Sequence, residues 1–156
     1  MKRSLRVLVL GFGISAAILS AANTVQAALG ESADSITSDR KSLAAVRGAT
    51  TARDSYTIQT IESDATTVRE YISPSGVVFG IAWNGLIHPD LTSLLGSYAS
   101  EYQEALRQTP RKPGRRSIHM ETGHIVVEKW GHMRNLQGRA YVPDLIPPGV
   151  SIGEIK

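Results

Sequence analysis

The chain has 156 residues, with 17 Lys and Arg against 14 Asp and Glu, and it has no cysteine. Three of the basic residues and none of the acidic ones lie in residues 1–27, so residues 28–156 carry 14 of each sign and are formally neutral. A neutral domain is not expected to bind nucleic acid. The lack of cysteine excludes disulfides, so the fold depends on apolar burial.

The first 27 residues have the three parts of a secretory signal peptide. A basic start is followed by an apolar stretch over 7–19 and by small residues that suit cleavage after Ala27. The apolar stretch has about 13 residues, fewer than the roughly 20 that a membrane-spanning helix needs. We therefore expect a periplasmic or secreted protein with one domain, residues 28–156, and no transmembrane segment after cleavage. A retained N-terminal anchor is the alternative.

The first half of this domain predicts a short helix followed by strands. A weak apolar pattern with Gly after it indicates a helix over 35–47, and residues 48–54 resemble a loop. Three strands are then predicted, at 55–62, 67–72 and 77–83. In the third, Val78, Gly80 and Ala82 form a small apolar face against which a helix is expected to pack.

The clearest helix begins after Asp90, whose carboxylate can cap its first free N–H groups. Apolar residues recur from Leu91 to Leu106 at helical spacing and form one stripe, and the helix is expected to end before Thr109. A basic loop over 110–116 follows. It is either a solvated connection or a contact for lipopolysaccharide phosphates or an acidic partner.

A second group of strands is predicted at 117–121, 124–130 and 133–142. Gly131 is expected to end the middle strand and Gly138 to mark a bulge in the last. The proline-containing tail after Val142 should wrap irregularly over the core. These patterns predict an α+β fold: an antiparallel sheet with one long packed amphipathic helix and a shorter N-terminal helix.

Three phrases of the sequence resemble a known family of exported Gram-negative bacterial proteins. They are REYISPSGVVFGIAW at 69–83, PDLTSLLGSY at 89–98 and GHMRNLQGRAYVPDLIPPGV at 131–150. The family is known only as domain of unknown function 2844, and the resemblance runs from about Leu29 onward. It implies export and the extent of the domain, and it implies no activity.

No catalytic, cofactor-binding or metal-binding residue is predicted from the sequence. His88, His124 and His132 are the residues that an extracytoplasmic enzyme or a metal-handling protein would use, and Met133 could add a thioether. Asp90 near His88 could form an acid–base pair, although an acid at a helix start is commonly a cap. No motif that positions a serine nucleophile is present. An enzyme is therefore the less favoured alternative.

The segment 131–141 is the candidate partner surface. His132, Arg134, Arg139 and Tyr141 are expected to be exposed, and Arg and Tyr concentrate binding energy at interfaces. Alternatively, the glycines set turns here and Arg139 packs along Tyr141. The favoured function is a non-catalytic binding or assembly module, without a cofactor, whose partner is an unidentified protein or envelope component.

Overall fold

The computed structural model describes residues 28–32, 47–110, 114 and 116–156. They form a seven-stranded antiparallel sheet and one 18-residue helix. The strands are β1 (Arg47–Ala52), β2 (Thr57–Glu62), β3 (Thr66–Ile72), β4 (Val78–Gly85), β5 (Ile118–Glu121), β6 (Val126–His132) and β7 (Asn135–Tyr141). Their order across the sheet is β1-β2-β3-β4-β7-β6-β5. The predicted α+β class with an antiparallel sheet is confirmed. The predicted helix at 35–47 lies outside the described residues except for Arg47, which is the first residue of β1.

The predicted loop at 48–54 is wrong, because most of it belongs to β1. This strand pairs with β2 along its whole length, from Arg47 opposite Glu62 to Ala52 opposite Thr57. Residues 48–52 are small or polar and exposed, so the segment carries no apolar alternation. Pairing with β2, which the local sequence does not encode, makes this segment a strand.

The helix, α1, covers 91–108 in three parts: Leu91–Leu95, a 3₁₀ turn at Gly96–Tyr98, and Ala99–Gln108. The side chain of Asp90 caps it by accepting a hydrogen bond from the backbone N–H of Thr92 at 2.9 Å, as predicted. The turn at Gly96 has φ +49°, and a Cβ there would lie 2.1 Å from the Cβ of Ala28. The helix is therefore interrupted where Ala28 packs against it.

The helix packs on a different face of β4 from the one predicted. Its buried leucines belong to one cluster with Val78, Ile81 and Trp83. A bulge causes this, because Tyr71 pairs with Gly80 while Ile72 pairs with Val78 and leaves one extra residue between them. The bulge shifts the alternation, so Val78 shares a face with Ile81 instead of Ala82.

The opposite face of the sheet is covered by the C-terminal segment, residues 142–156. Ile155 is fully buried in a second cluster, with Tyr56, Tyr71, Phe79, Ala82, Val126 and Tyr141. A Cβ on Gly80 would lie 3.0 Å from Ile155 Cδ1, so the small face of β4 accommodates this segment and not the helix. The expectation that the tail wraps over the core is confirmed.

Among the residues that the structure describes, no helix has the length and apolar character to span a membrane.

Candidate functional site

The hairpin joining β6 and β7 forms one end of the sheet. Its last pair is His132 opposite Asn135, and its tip is Met133, which is 94% exposed, with Arg134 at φ +68°. The prediction that Gly131 ends the strand is wrong. Gly131 stays paired with Leu136 at φ +116°, a conformation that suits glycine, and a Cβ there would lie 2.1 Å from the Asn135 carbonyl oxygen.

A groove of about 610 Å³ opens beside this hairpin. One wall comes from residues 116–118 at the start of β5 and the other from residues 129–133 of β6 and the hairpin tip. His88, in the loop between β4 and α1, and Leu136 of β7 complete the lining. Three separate parts of the chain therefore meet at this groove.

His88 is held by a hydrogen bond from Trp83, whose Nε1–H donates to His88 Nδ1 at 2.9 Å. Because the indole nitrogen can only donate, Nδ1 must be unprotonated and the neutral ring carries its proton on Nε2. Burial lowers the pKa of His88, and the nearby Lys129 ammonium lowers it further. His88 thus contributes a neutral N–H donor to the groove.

The groove lining is basic. Lys129 and Arg116 contribute charged groups, and no Asp or Glu is among the described residues that line it. The Lys129 ammonium donates to the Tyr102 hydroxyl at 2.8 Å, which leaves it further N–H donors. Arg116 is exposed, and Arg134 adds another charge at the adjacent hairpin tip. This arrangement is complementary to an anionic group.

The four residues of the predicted partner surface separate into two pairs. His132 lines the groove and Arg134 is exposed beside it. Tyr141 is only 6% exposed, so its predicted exposure is wrong. It lies on the face that the C-terminal segment covers, because its register position opposite Gly80 and Val126 places it in the second core cluster.

Arg139 lies beneath the C-terminal segment, with only 22% of its side chain exposed. Its guanidinium forms an ion pair with Glu128 and donates to the carbonyl oxygens of Ile152 at 2.9 Å and Ile155 at 3.4 Å. Its guanidinium carbon also lies 5.8 Å from the Tyr141 ring centroid. This contact agrees with the alternative interpretation, in which Arg139 packs along Tyr141. These contacts hold the tail onto the sheet.

His124 does not line the groove. His124 contacts Glu101 of α1 through its backbone N–H and its Nδ1, each at 3.1 Å. His124 precedes β6 and His132 is its last residue, so the two histidines lie about 26 Å apart along an extended strand. The described residues contain no group of three or more His, Asp or Glu side chains placed to hold a metal ion. The Asp90 side chain caps α1 while His88 accepts from Trp83, so the structure does not join these two residues as an acid–base pair.

Lys129 and Trp130 are among the groove residues that the sequence analysis missed. Lys129 follows Val127 on the helix-facing side of β6, where an apolar residue would be the ordinary choice. That irregularity is the one signal in the sequence that could have identified it. The meeting of Lys129 with His88 depends on the β4–β7–β6 order and is invisible locally.

Comparison with known proteins places residues 25–155 in one family. No curated protein and no solved structure shows a significant match to the chain. A family model described as "Protein of unknown function (DUF2844)" matches residues 25–155, which include every strand of the sheet, α1 and the groove. The chain belongs to this family of proteins of unknown function.

Proposed function

We propose that this chain is an exported, non-catalytic binding module that holds an anionic partner in the groove beside the β6–β7 hairpin. The observation that carries the proposal is the composition of the groove lining. It contains Lys129, Arg116 and the N–H of His88, and none of the described residues that line the groove has a carboxylate. Cations beside a partly enclosed, low-dielectric wall attract anions more strongly than they would in open solvent.

The predicted cleavage position is compatible with the contacts of the residues that follow it. Ala28 and Leu29 directly follow the predicted cleavage position and are 1% and 0% exposed. Leu29 N–H donates to the Leu94 carbonyl at 3.0 Å, and Gly30 N–H donates to the Val78 carbonyl at 2.8 Å. A signal peptide removed after Ala27 would leave these contacts intact.

The basic loop adds to the argument from charge. Arg116 borders the groove, and the sequence just before it contains three more cations, Arg111, Lys112 and Arg115, which lie outside the described residues. The loop was interpreted either as a solvated connection or as a contact for an acidic partner. A contribution of Arg116 to binding would favour the second interpretation.

The test is titration of the purified protein with hexaglutamate, inorganic pyrophosphate and phosphatidylglycerol vesicles, with hexalysine as the control. We expect at least one anion to bind, with an affinity that falls as salt is raised. Arg116→Gln should weaken it by about two- to fivefold, the usual contribution of one exposed ion pair.

Arg53→Gln is the matched control, because Arg53 is also exposed but lies in the β1–β2 turn, distant in the sheet order from β6. It should leave binding unchanged. Failure of all three anions to bind, or equal effects of the two substitutions, would contradict the proposal.

A further inference from the structure

The groove exposes a strand edge. β5 pairs with β6 only from Glu121 opposite Val126 to Ile118 opposite Lys129. β6 continues for three more residues, Trp130–His132, and these pair with β7 on one side only among the described residues. Residues 116 and 117 line the other wall of the groove instead of pairing with β6. β6 and the segment that leads into β5 therefore diverge at the point where the groove opens.

An open strand edge offers N–H and C=O groups to another extended chain. Three residues of edge extend about 10 Å, and because alternate residues direct their N–H and C=O groups to the same side of a strand, they offer one or two residues for pairing with a short added segment. Peptides that bind in this way take affinity from main-chain hydrogen bonds and specificity from alternate side chains. Here the side chains nearest the edge are those of the basic groove.

The same end of the sheet carries exposed apolar side chains. Leu86 and Ile87 follow the end of β4 and are 53% and 57% exposed, and Met133 at the hairpin tip is 94% exposed. Gly85 pairs with Leu136, which places the β4 end beside the start of β7. Apolar residues around a basic groove are complementary to a segment that has both apolar and acidic side chains.

From these observations we propose that the occupant of the groove is an extended acidic segment of another polypeptide, which adds as a strand to the edge of β6 at Trp130–His132 that no described residue pairs. This inference rests on the proposed function and specifies the partner. A second copy of the chain is disfavoured, because edge-to-edge pairing would bring the two sets of Lys129, Arg116 and Arg134 together.

The experiment uses a capped peptide of alternating Glu and Val, which provides the acidic and apolar side chains that the groove would take. It is compared with two versions N-methylated at alternate residues, one in each register, and with a Lys–Val version. We expect the parent to bind, the Lys–Val version not to bind, and at least one N-methylated version to bind about fivefold more weakly or worse, because it loses main-chain hydrogen bonds.

Amide hydrogen exchange locates the contact. The parent peptide should slow exchange of at least one amide within 130–132 by about tenfold or more, whereas the Arg116→Glu variant should lose this protection and the Arg53→Glu control should keep it. Sedimentation of the free protein as a dimer, with residues 130–132 protected without peptide, would instead identify a second copy as the occupant and overturn the proposal.

Two further outcomes separate this inference from the proposed function. If both N-methylated versions bind as well as the parent, or if the parent binds without protecting 130–132, strand addition is wrong and the anion groove stands. If pyrophosphate or phosphatidylglycerol vesicles bind and the peptide does not, the partner is not a polypeptide. If no anion binds at all, both proposals are wrong.

Discussion

At the scale of single residues, Arg139 was predicted to contact a partner, but with Glu128 it stabilises the fold. Glu128 accepts from Arg139 and also contacts His119 Nδ1 at 3.0 Å, while Glu121 lies 3.8 Å from the other nitrogen of that ring. Burial alone would raise the pKa of the Glu128 carboxyl, but the hydrogen bonds from Arg139 and His119 outweigh it and hold the pKa below its usual 4.5.

This shift predicts a stability that depends on pH. Because the folded pKa of Glu128 is depressed, its contribution is complete above the unfolded value near 4.5 and is lost as pH falls through the lower folded value. We expect Glu128→Gln to lower the free energy of unfolding by about 1–3 kcal/mol at pH 7. The difference from the wild type should shrink when urea unfolding is repeated below pH 4.5.

Glu104→Gln is the control, since its ion pair with Arg107 at 3.5 Å is exposed on both sides. It should change stability by less than about 0.5 kcal/mol at either pH. A Glu128→Gln penalty that is equally large in acid would show that geometry, and not charge, is what Glu128 supplies.

At the scale of elements, β7 depends on Gly138 for a reason other than the predicted bulge. The register runs without interruption on both sides, with Gly138 opposite Trp83 of β4 and Lys129 of β6. A Cβ on Gly138 would lie 2.3 Å from Trp83 Cζ2 and 2.6 Å from the Glu128 carbonyl oxygen. The missing side chain gives the Trp83 ring its space, and Trp83 in turn holds His88 at the groove.

Gly138→Ala should therefore destabilise the protein by about 1–3 kcal/mol or more, the usual range for overpacking a core. It should also disturb the Trp83–His88 hydrogen bond, which the indole N–H signal in an NMR spectrum reports. Gly123→Ala is the matched control, because the nearest atom to its added Cβ, Glu101 Oε1, would lie at an ordinary 3.7 Å. If the two variants are equally stable, Trp83 does not need this space.

At the scale of the whole molecule, the two ends of the described chain cover the two faces of the sheet. Leu29 packs with the helix-side cluster, and Ile155 packs with the cluster on the opposite face. Tyr56 and Tyr71 bind the C-terminal segment through Glu154 and Lys156, each at 2.8 Å. Both ends are therefore parts of the core and not appendages.

Ala28 and Leu29, the two residues that follow the predicted cleavage position, are buried. We expect mass spectrometry of protein recovered from the periplasm or medium to show Ala28 as the first residue, because small side chains are required just before the cleaved bond. Ala27→Leu should leave the precursor uncut, whereas Gln26→Lys, at the unconstrained position, should be processed normally. Membrane-extracted protein that retains Met1 would contradict cleavage.

The sequence by itself determined the elements whose signals are local. The periodicity after Asp90 predicted the helix, the alternating and turn residues predicted six of the strands closely, and the quoted phrases identified the family. Each of these depends on side-chain spacing within about 20 residues, which the chain displays directly.

Tertiary structure alone decided the rest. β1 carries no pattern of its own and is a strand because β2 pairs with it. The bulge at Ile72 and Val78 decided which face of β4 receives the helix, and the tail took the other face, burying Tyr141. The groove required Lys129 to lie beside His88, 41 positions earlier in the chain, and only the strand order brings them together. Such contacts depend on pairing between distant segments, and no local pattern encodes them.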